Sequence, residues 1–326
     1  MDDRCITGLD SLPLSARAGV VTVGNFDGVH LGHQRILRAA RALADANGLR
    51  VVAMTFDPPP GLVLRASDVP ERITPHEEKA RLLLEAGADY VVTVPTTPQL
   101  LAMSPDEFAR QVVIDRLAPR HVVEGHDFCF GRGRSGNIDT FRAVGAGAGL
   151  LVHVVEPAYL DLDPGQGPPR RISSTLVRSL VHAGRVEDAN RCLGREFTLY
   201  GMVVSGQARG RLLEFPTVNL TEGEQVRPGD GVYAGRAAVA GRRCAAAISV
   251  GNKPTFAPAG RAVEAFLLDA KGDFYHEGLA LSFLRRLRDQ VRFDGVEALK
   301  AQIEKDVQRV REICGRLADR SAGASG

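Results

Sequence analysis

The sequence predicts an α/β unit built on a parallel sheet, followed by an all-β unit, an antiparallel barrel or sandwich with a terminal helix. Three observations carry that prediction. From Val20 to Val155, apolar runs of strand length alternate with helix-length segments, the order that makes parallel βαβ crossovers. From Phe197 onward, strand-like runs follow one another across Gly/Pro turns with no helix between them. At 326 residues, the chain is also long for a single hydrophobic core. The texture changes near Gly194, which predicts units over 1–194 and 195–318 and a disordered tail over 319–326.

The first element is set by Val21-Thr22-Val23-Gly24-Asn25-Phe26-Asp27-Gly28-Val29-His30-Leu31-Gly32-His33-Gln34. A β-branched run breaks at glycines and restarts as Gln34 to Leu43, which reads as strand, tight turn and helix. N–H groups at a helix start carry positive dipole, so a phosphate suits this turn, with His30 and His33 as further donors. Gly28 and Gly32 allow close approach of backbone to a ligand. Two histidines merely hydrogen-bonded in a core turn are the bland alternative. A shared metal is disfavoured because no third ligand stands nearby in the sequence.

The remaining elements of this half follow in order. Val51–Phe56 is a second strand, stopped by Pro58-Pro59-Pro60. Thr74 as N-cap, Pro75 at the first helical position and Glu77 completing a capping box open the next helix. Tyr90–Val94 is a third strand, and Ser104-Pro105-Asp106-Glu107 opens a helix to Leu117. His121–Glu124 and Leu150–Val155 are the fourth and fifth strands. A doubly wound sheet binds ligands beyond the carboxyl ends of its strands, where the glycine turn lies. The Gly/Arg-rich stretch from Gly125 to Gly136 reads as a basic flap over phosphates or as a solvated loop. Arg171-Ile172-Ser173-Ser174-Thr175-Leu176-Val177-Arg178 places hydroxyls and free N–H groups at a helix start with an arginine one turn in. That suits a pyrophosphate, and an ordinary capped helix has the same look.

In the second half, Leu180 to Gly194 reads as two short helices. Strand-like runs then cover Phe197–Gly206, Gly231–Gly241, Cys244–Val250, Val263–Leu268 and Leu279–Leu284. A last helix is predicted from Asp294, with Glu297 as capping-box partner and one apolar stripe of Val296, Leu299, Ile303, Val307, Val310 and Cys314. Gly206 to Gly210 and Arg211 offer a second glycine and arginine flap, followed by Pro216. Thr217 and Asn219, two apart in an extended segment, share a side, and their oxygens suit Mg²⁺; turn hydrogen bonding is the alternative. Glu264, inside a strand, is either a solvated outward carboxylate or, at a barrel mouth, a general base.

Composition excludes several classes. Forty-one basic against 39 acidic residues give a formal charge of +2, which signals neither nucleic acid nor a membrane surface. No apolar run reaches the length of a membrane span, and the first residues lack the apolar core of a signal peptide, so a cytoplasmic location is expected. Five scattered cysteines with no CxxC pair indicate neither a disulfide framework nor a zinc knuckle.

The string Gly24-x-Phe26-Asp27-Gly28-Val29-His30-x-Gly32-His33 resembles the signature of the HxGH nucleotidyltransferases, and in this long form the bacterial bifunctional riboflavin kinase/FMN adenylyltransferase (FAD synthetase) family. Two further segments resemble that family: Gly125-x-Asp127-Phe128-x-Phe130-Gly131, which there helps line the nucleotide and flavin sites, and Ile172-Ser173-Ser174-Thr175-x-x-Arg178, the triphosphate-binding second signature. The second half resembles the riboflavin kinase module through Pro216-Thr217-x-Asn219, Gly231-Val232-Tyr233-Ala234-Gly235, Pro254-Thr255-Phe256 and Val263-Glu264.

The resemblance implies a Rossmann-like nucleotidyltransferase domain and a β-barrel kinase domain. It implies that ATP and riboflavin give FMN, and that FMN and a second ATP give FAD and pyrophosphate, with Mg²⁺ at both sites. Carried over by position, His30 and His33 stabilise charge on the transferring group. Gly24, Phe26, Asp27, Gly28, Asp127, Phe128, Ser173, Ser174, Thr175 and Arg178 bind the nucleotide and flavin of the first site. Gly210, Arg211 and Pro216 belong to the kinase flap, Thr217 and Asn219 hold Mg²⁺ and ATP phosphates, and Glu264 accepts the ribityl hydroxyl proton. An adenylyltransferase whose barrel only binds flavin, or a silent flavin sensor, are the alternatives; the intact motifs argue against the sensor. Three positions depart from the family pattern: Pro59 stands in place of the histidine of a Pro-His-Pro turn, and Glu214 and His276 each stand in place of a glycine.

Overall fold

The computed structural model describes residues 2–64, 70–204, 217–221, 223–252, 261–270 and 272–323. By contacts, the chain divides into two compact units, Met1–Glu71 with Pro75–Ser174, and Arg72–Thr74 with Thr175–Gly326.

In the first unit, β1 (Cys5–Thr7) and β2 (Val20–Val23) precede α1 (Leu31–Asn47) and β3 (Val51–Asp57). Next come α2 (Pro60–Leu64), α3 (His76–Glu85), β4 (Tyr90–Pro95), α4 (Pro98–Ala102), α5 (Pro105–Glu107) and, after a π-helical stretch over Phe108–Ile114, α6 (Asp115–Leu117). β5 (His121–Gly125), α7 (Ile138–Ala146), β6 (Leu151–Val155) and a hairpin of β7 (Tyr159–Leu160) and β8 (Arg170–Arg171) complete it. The six main strands form one parallel sheet in the order β1-β4-β3-β2-β5-β6. Alternate residues of the central strands feed opposite cores, because side chains alternate across a strand. Val21, Val23, Val52 and Met54 pack with Phe108, Val112 and Phe141, while Val20, Val51 and Ala53 pack with Leu37, Ala40 and Leu83.

Local sequence rules hold at most boundaries. Gly48 ends α1 at φ 63, and Ser104 and Glu107 form the predicted capping box. The start of α3 is a correction: Pro75 is the N-cap, no side chain caps the helix, and Thr74 accepts a hydrogen bond from Arg195 instead. Thr74 belongs to the short Arg72–Thr74 strap that packs with the second unit. Arg72 and Gln225 form a bridge there, and Gln225 Nε2 donates to the carbonyl of Ile73 at 3.0 Å.

The second unit opens with α8 (Ser174–His182) and α9 (Val186–Leu193). β9 (Phe197–Val204), β10 (Thr217–Leu220), β11 (Gly231–Val239), β12 (Arg242–Asn252), β13 (Arg261–Leu267) and β14 (Gly278–Arg288) follow, then α10 (Val296–Gly323). The six strands close into a barrel in the order β10-β13-β12-β11-β14-β9, so the barrel, not the sandwich, is formed. Its interior is filled by Phe197, Tyr233, Ile248 and Phe283, all buried. The division by contact falls at Ser174 rather than Gly194. The two helices before Gly194 bond to the barrel: Asn190 Nδ2 donates to Phe283 O at 2.8 Å, and Gly229 N–H donates to Val181 O at 3.0 Å. α10 starts at Val296, not from an Asp294 cap, and covers Ala234 and Leu268 with Val307, Val310, Ile313 and Cys314. It runs through the expected tail to Gly323, while 324–326 lie outside the described residues.

Candidate functional site

The first site forms where the strand order reverses. β2 pairs with β5 only at Val20↔His121 and Val21↔Val122, after which the two strands part. A crevice at such a point is where open α/β sheets bind ligands. The Glu124 carboxyl replaces the missing ladder bond by accepting from the Val23 N–H. Burial pushes its pKa well above the ordinary value, against the lowering effect of that bond.

Beyond Val23 the chain turns sharply. Phe26, Gly28 and Val29 take φ of 48°, 83° and 38°, the left-handed region that costs a non-glycine residue about 1–3 kcal/mol. His30 caps α1, its Nδ1 accepting from the His33 N–H at 3.4 Å. With Nδ1 as acceptor, a neutral ring carries its proton on Nε2 and can donate from there. The His30 and His33 rings stack at 3.6 Å and 18°, and Phe26 meets His33 edge-on at 5.3 Å. Gly32 is required by this stack: a Cβ there would lie 3.0–3.1 Å from the His30 ring.

The second signature segment reaches the same turn. Ser174 Oγ donates to Asp27 O at 2.8 Å, and Ile172 O lies 3.6 Å from the Cβ position of Gly32. Gly24, Phe26, Asp27, Gly28, His30, His33 and Ser174 are thus brought together, with Ser173 next to Ser174. Thr175 and Arg178 continue along α8, four residues placing Ser174 and Arg178 on one helix face.

The Gly125–Gly136 stretch is held at its ends, with 132–135 exposed between them. A Phe130–Gly136 bridge closes it, and the Cβ positions of Gly131 and Gly136 lie within 2.8 Å of Pro105. Asp127 pairs with Arg171; burial raises the Asp127 pKa, but this arginine outweighs it and holds the carboxyl below its ordinary value. Phe128 is half-buried beside Phe130 and Phe141, at 5.3 and 5.9 Å.

Sequence reasoning missed Lys79, Glu124 and the role of Arg171. The first two carried a signal: Lys79 stands in the apolar stripe of α3 with Leu82 and Leu83, and Glu124 ends an apolar strand.

The second site lies on the barrel wall. Asn219 on β10, Glu264 on β13 and Ser249 on β12 are register partners across three neighbouring strands. They share a face with Phe266 and Ala247, which pack beneath α10, so this row lies on the outer side of the barrel wall. Asn219 is buried and its Oδ1 has no hydrogen-bond partner among the described residues, an oxygen that suits a hard cation together with Thr217. Gln290 Nε2 donates to Ser249 Oγ at 3.0 Å. Gly210, Arg211, Glu214 and Pro216, and the Pro254-Thr255-Phe256 turn, lie outside the described residues. His276 is described: it takes φ 65, the conformation for which the family's glycine is suited. Among the described residues, no three His, Cys, Asp or Glu gather as a metal site.

A family model described as FAD synthetase matches residues 13–167, and one described as riboflavin kinase matches residues 193–314. The bifunctional riboflavin kinase/FMN adenylyltransferase of Listeria monocytogenes is 34% identical over 305 residues, covering 92% of this chain and 94% of that one. The chain belongs to the bifunctional riboflavin kinase/FMN adenylyltransferase family. The Pseudomonas fluorescens member of that family is 34% identical over 318 residues, 97% of this chain and 100% of its own. A crystal structure described as a macrolide-efflux protein from Streptococcus pneumoniae superposes with a TM-score of 0.82 at 28% identity, covering 94% of this chain and 99% of that one. No helix among the described residues of this family member is long and apolar enough to cross a membrane.

Proposed function

We propose that this chain makes FMN from riboflavin and ATP at the barrel wall, and FAD and pyrophosphate from FMN and ATP at the sheet crevice, with residues 1–194 carrying the second reaction and 195–318 the first. The single observation that carries the adenylyl-transfer site is the Ser174–Asp27 bond, which joins the two signature segments, 147 residues apart, at the stacked histidine pair.

An FMN phosphate oxygen attacks the α-phosphorus of ATP, and the bond to the bridging oxygen of pyrophosphate breaks. His30 Nε2–H and His33 stabilise charge on the transferring group, while Ser173, Ser174, Thr175 and Arg178 hold the leaving pyrophosphate. Gly24, Phe26, Asp27 and Gly28 shape the turn that receives the phosphates, and Asp127 and Phe128 line the nucleotide and flavin site. At the barrel, Glu264 takes the ribityl hydroxyl proton as that oxygen attacks the γ-phosphorus, and the bond to the β,γ-bridging oxygen breaks to release ADP. Thr217 and Asn219 would hold Mg²⁺, which when bound neutralises phosphate charge. Gly210, Arg211 and Pro216 are assigned to the ATP flap on the family resemblance. The partners are small molecules, with neither nucleic acid nor membrane, and the location is cytoplasmic.

The test is to incubate the purified protein with riboflavin, ATP and Mg²⁺ and to separate FMN and FAD. His30→Ala should lower FAD formation by about 10²–10⁴-fold and leave FMN formation intact. Glu264→Gln should do the reverse, sparing FAD formation from added FMN. Loss of both activities in either variant sinks the assignment of separate sites.

A further inference from the structure

Lys79 lies on α3 with 5% of its surface exposed. Its ammonium donates to Thr55 Oγ1 at 2.9 Å, to Asn25 O at 3.2 Å and to Phe56 O at 3.4 Å. Thr55 Oγ1 donates in turn to Asn25 O at 3.2 Å. Burying an ammonium is expensive, and Met or Leu in the same apolar stripe would pack without that cost. What the cation does here is fasten Asn25, in the glycine turn, to the end of β3.

The fastening has a directional consequence. In a trans peptide the carbonyl and the following N–H point to opposite sides, and the Asn25–Phe26 bond is trans. Drawing the Asn25 carbonyl toward Lys79 and Thr55 therefore turns the Phe26 N–H to the other side of the turn. Phe26 is 3% exposed, and its N–H makes no hydrogen bond to protein among the described residues. A buried donor of this kind ordinarily has a partner.

On the adenylyl-transfer function given above, we propose that Lys79 is a positioning residue of that site, aiming the Phe26 N–H at the phosphate that reacts there through its grip on the Asn25 carbonyl. The donor is set before substrate arrives, so its alignment costs nothing at the moment of reaction. Lys79 touches no substrate itself.

The experiment uses the full-length protein and two variants, Lys79→Met and Thr55→Val, each assayed for FAD formation from FMN and for FMN formation from riboflavin, with thermal unfolding followed in parallel. Lys79→Met should lower kcat for FAD formation by about tenfold or more, with the KM for ATP changed by less than about threefold and FMN formation unchanged. Thr55→Val, which leaves the ammonium in place, should lower the same kcat by roughly two- to fivefold. A wild-type kcat in Lys79→Met overturns the proposal, as does a variant changed only in its unfolding temperature. Should Lys79→Met fail to fold, Thr55→Val decides, and an unchanged kcat there overturns it. Wild-type protein that makes FMN but no FAD overturns the adenylyl-transfer function itself, and the role of Lys79 with it.

Discussion

Glu124 illustrates how one buried side chain ties stability to pH. Its folded pKa is raised well above the usual 4.5 by burial, the larger effect, with the Val23 N–H bond pulling the other way. Between 4.5 and the folded value, the native state holds a proton that the unfolded chain releases. The contribution is therefore fully present below 4.5 and is lost as pH rises through the folded pKa, by at most about 1.4 kcal/mol per pH unit. Glu124→Gln keeps an acceptor for Val23 without a titrating group. Urea unfolding across pH 4–9 should show wild type losing stability relative to the Gln variant over that window. Parallel curves would mean that Glu124 does not titrate there.

At the scale of elements, the turn between β2 and α1 was legible because its residue types are dictated locally. A β-branched run, glycines at fixed places and a helix start leave few alternatives, and the Ser104–Glu107 box is equally local. What the sequence hid is non-local. β1 is three residues long and stands as a strand only because β4 offers an edge. Thr74 has the composition of an N-cap and is drawn instead to Arg195, 121 residues away. The outward face of Glu264 follows from the packed barrel interior and the position of α10, neither visible in a five-residue pattern. Gly32 separates local from functional demands. Ala in its place is the better helix former by about 1 kcal/mol, yet its Cβ would press on the His30 ring at 3.0–3.1 Å. Gly32→Ala should therefore unfold no earlier than wild type while losing about tenfold in FAD formation as the stacked pair is displaced. An unperturbed rate would show that the ring can yield without cost.

At the scale of the whole molecule, the texture change at Gly194 marks where strands begin, while by contacts the two helices before it group with the barrel. Phe197 N–H donates to Asn190 Oδ1 at 2.6 Å and Phe283 O accepts from Asn190 Nδ2, so α9 satisfies backbone groups of two barrel strands. Ile73 is buried at 1% exposure, and its carbonyl accepts from Gln225 Nε2, whose side chain also bonds Thr198 O and Tyr200 N–H. A fragment of residues 195–326 loses both supports, leaving Phe197 N–H and Phe283 O without Asn190 and Gln225 without Ile73. Each hydrogen bond lost in this way is worth about 0.5–1.5 kcal/mol net, and together they are a sizeable share of the stability of a small domain. A fragment of residues 175–326 regains Asn190 but not Ile73. Thermal unfolding should therefore rank the 195–326 fragment lowest and the 175–326 fragment above it. FMN formation in the full chain should be lost at a higher temperature than either midpoint. Equal midpoints for the two fragments would show that α9 contributes nothing to the barrel and that the unit does begin at Gly194.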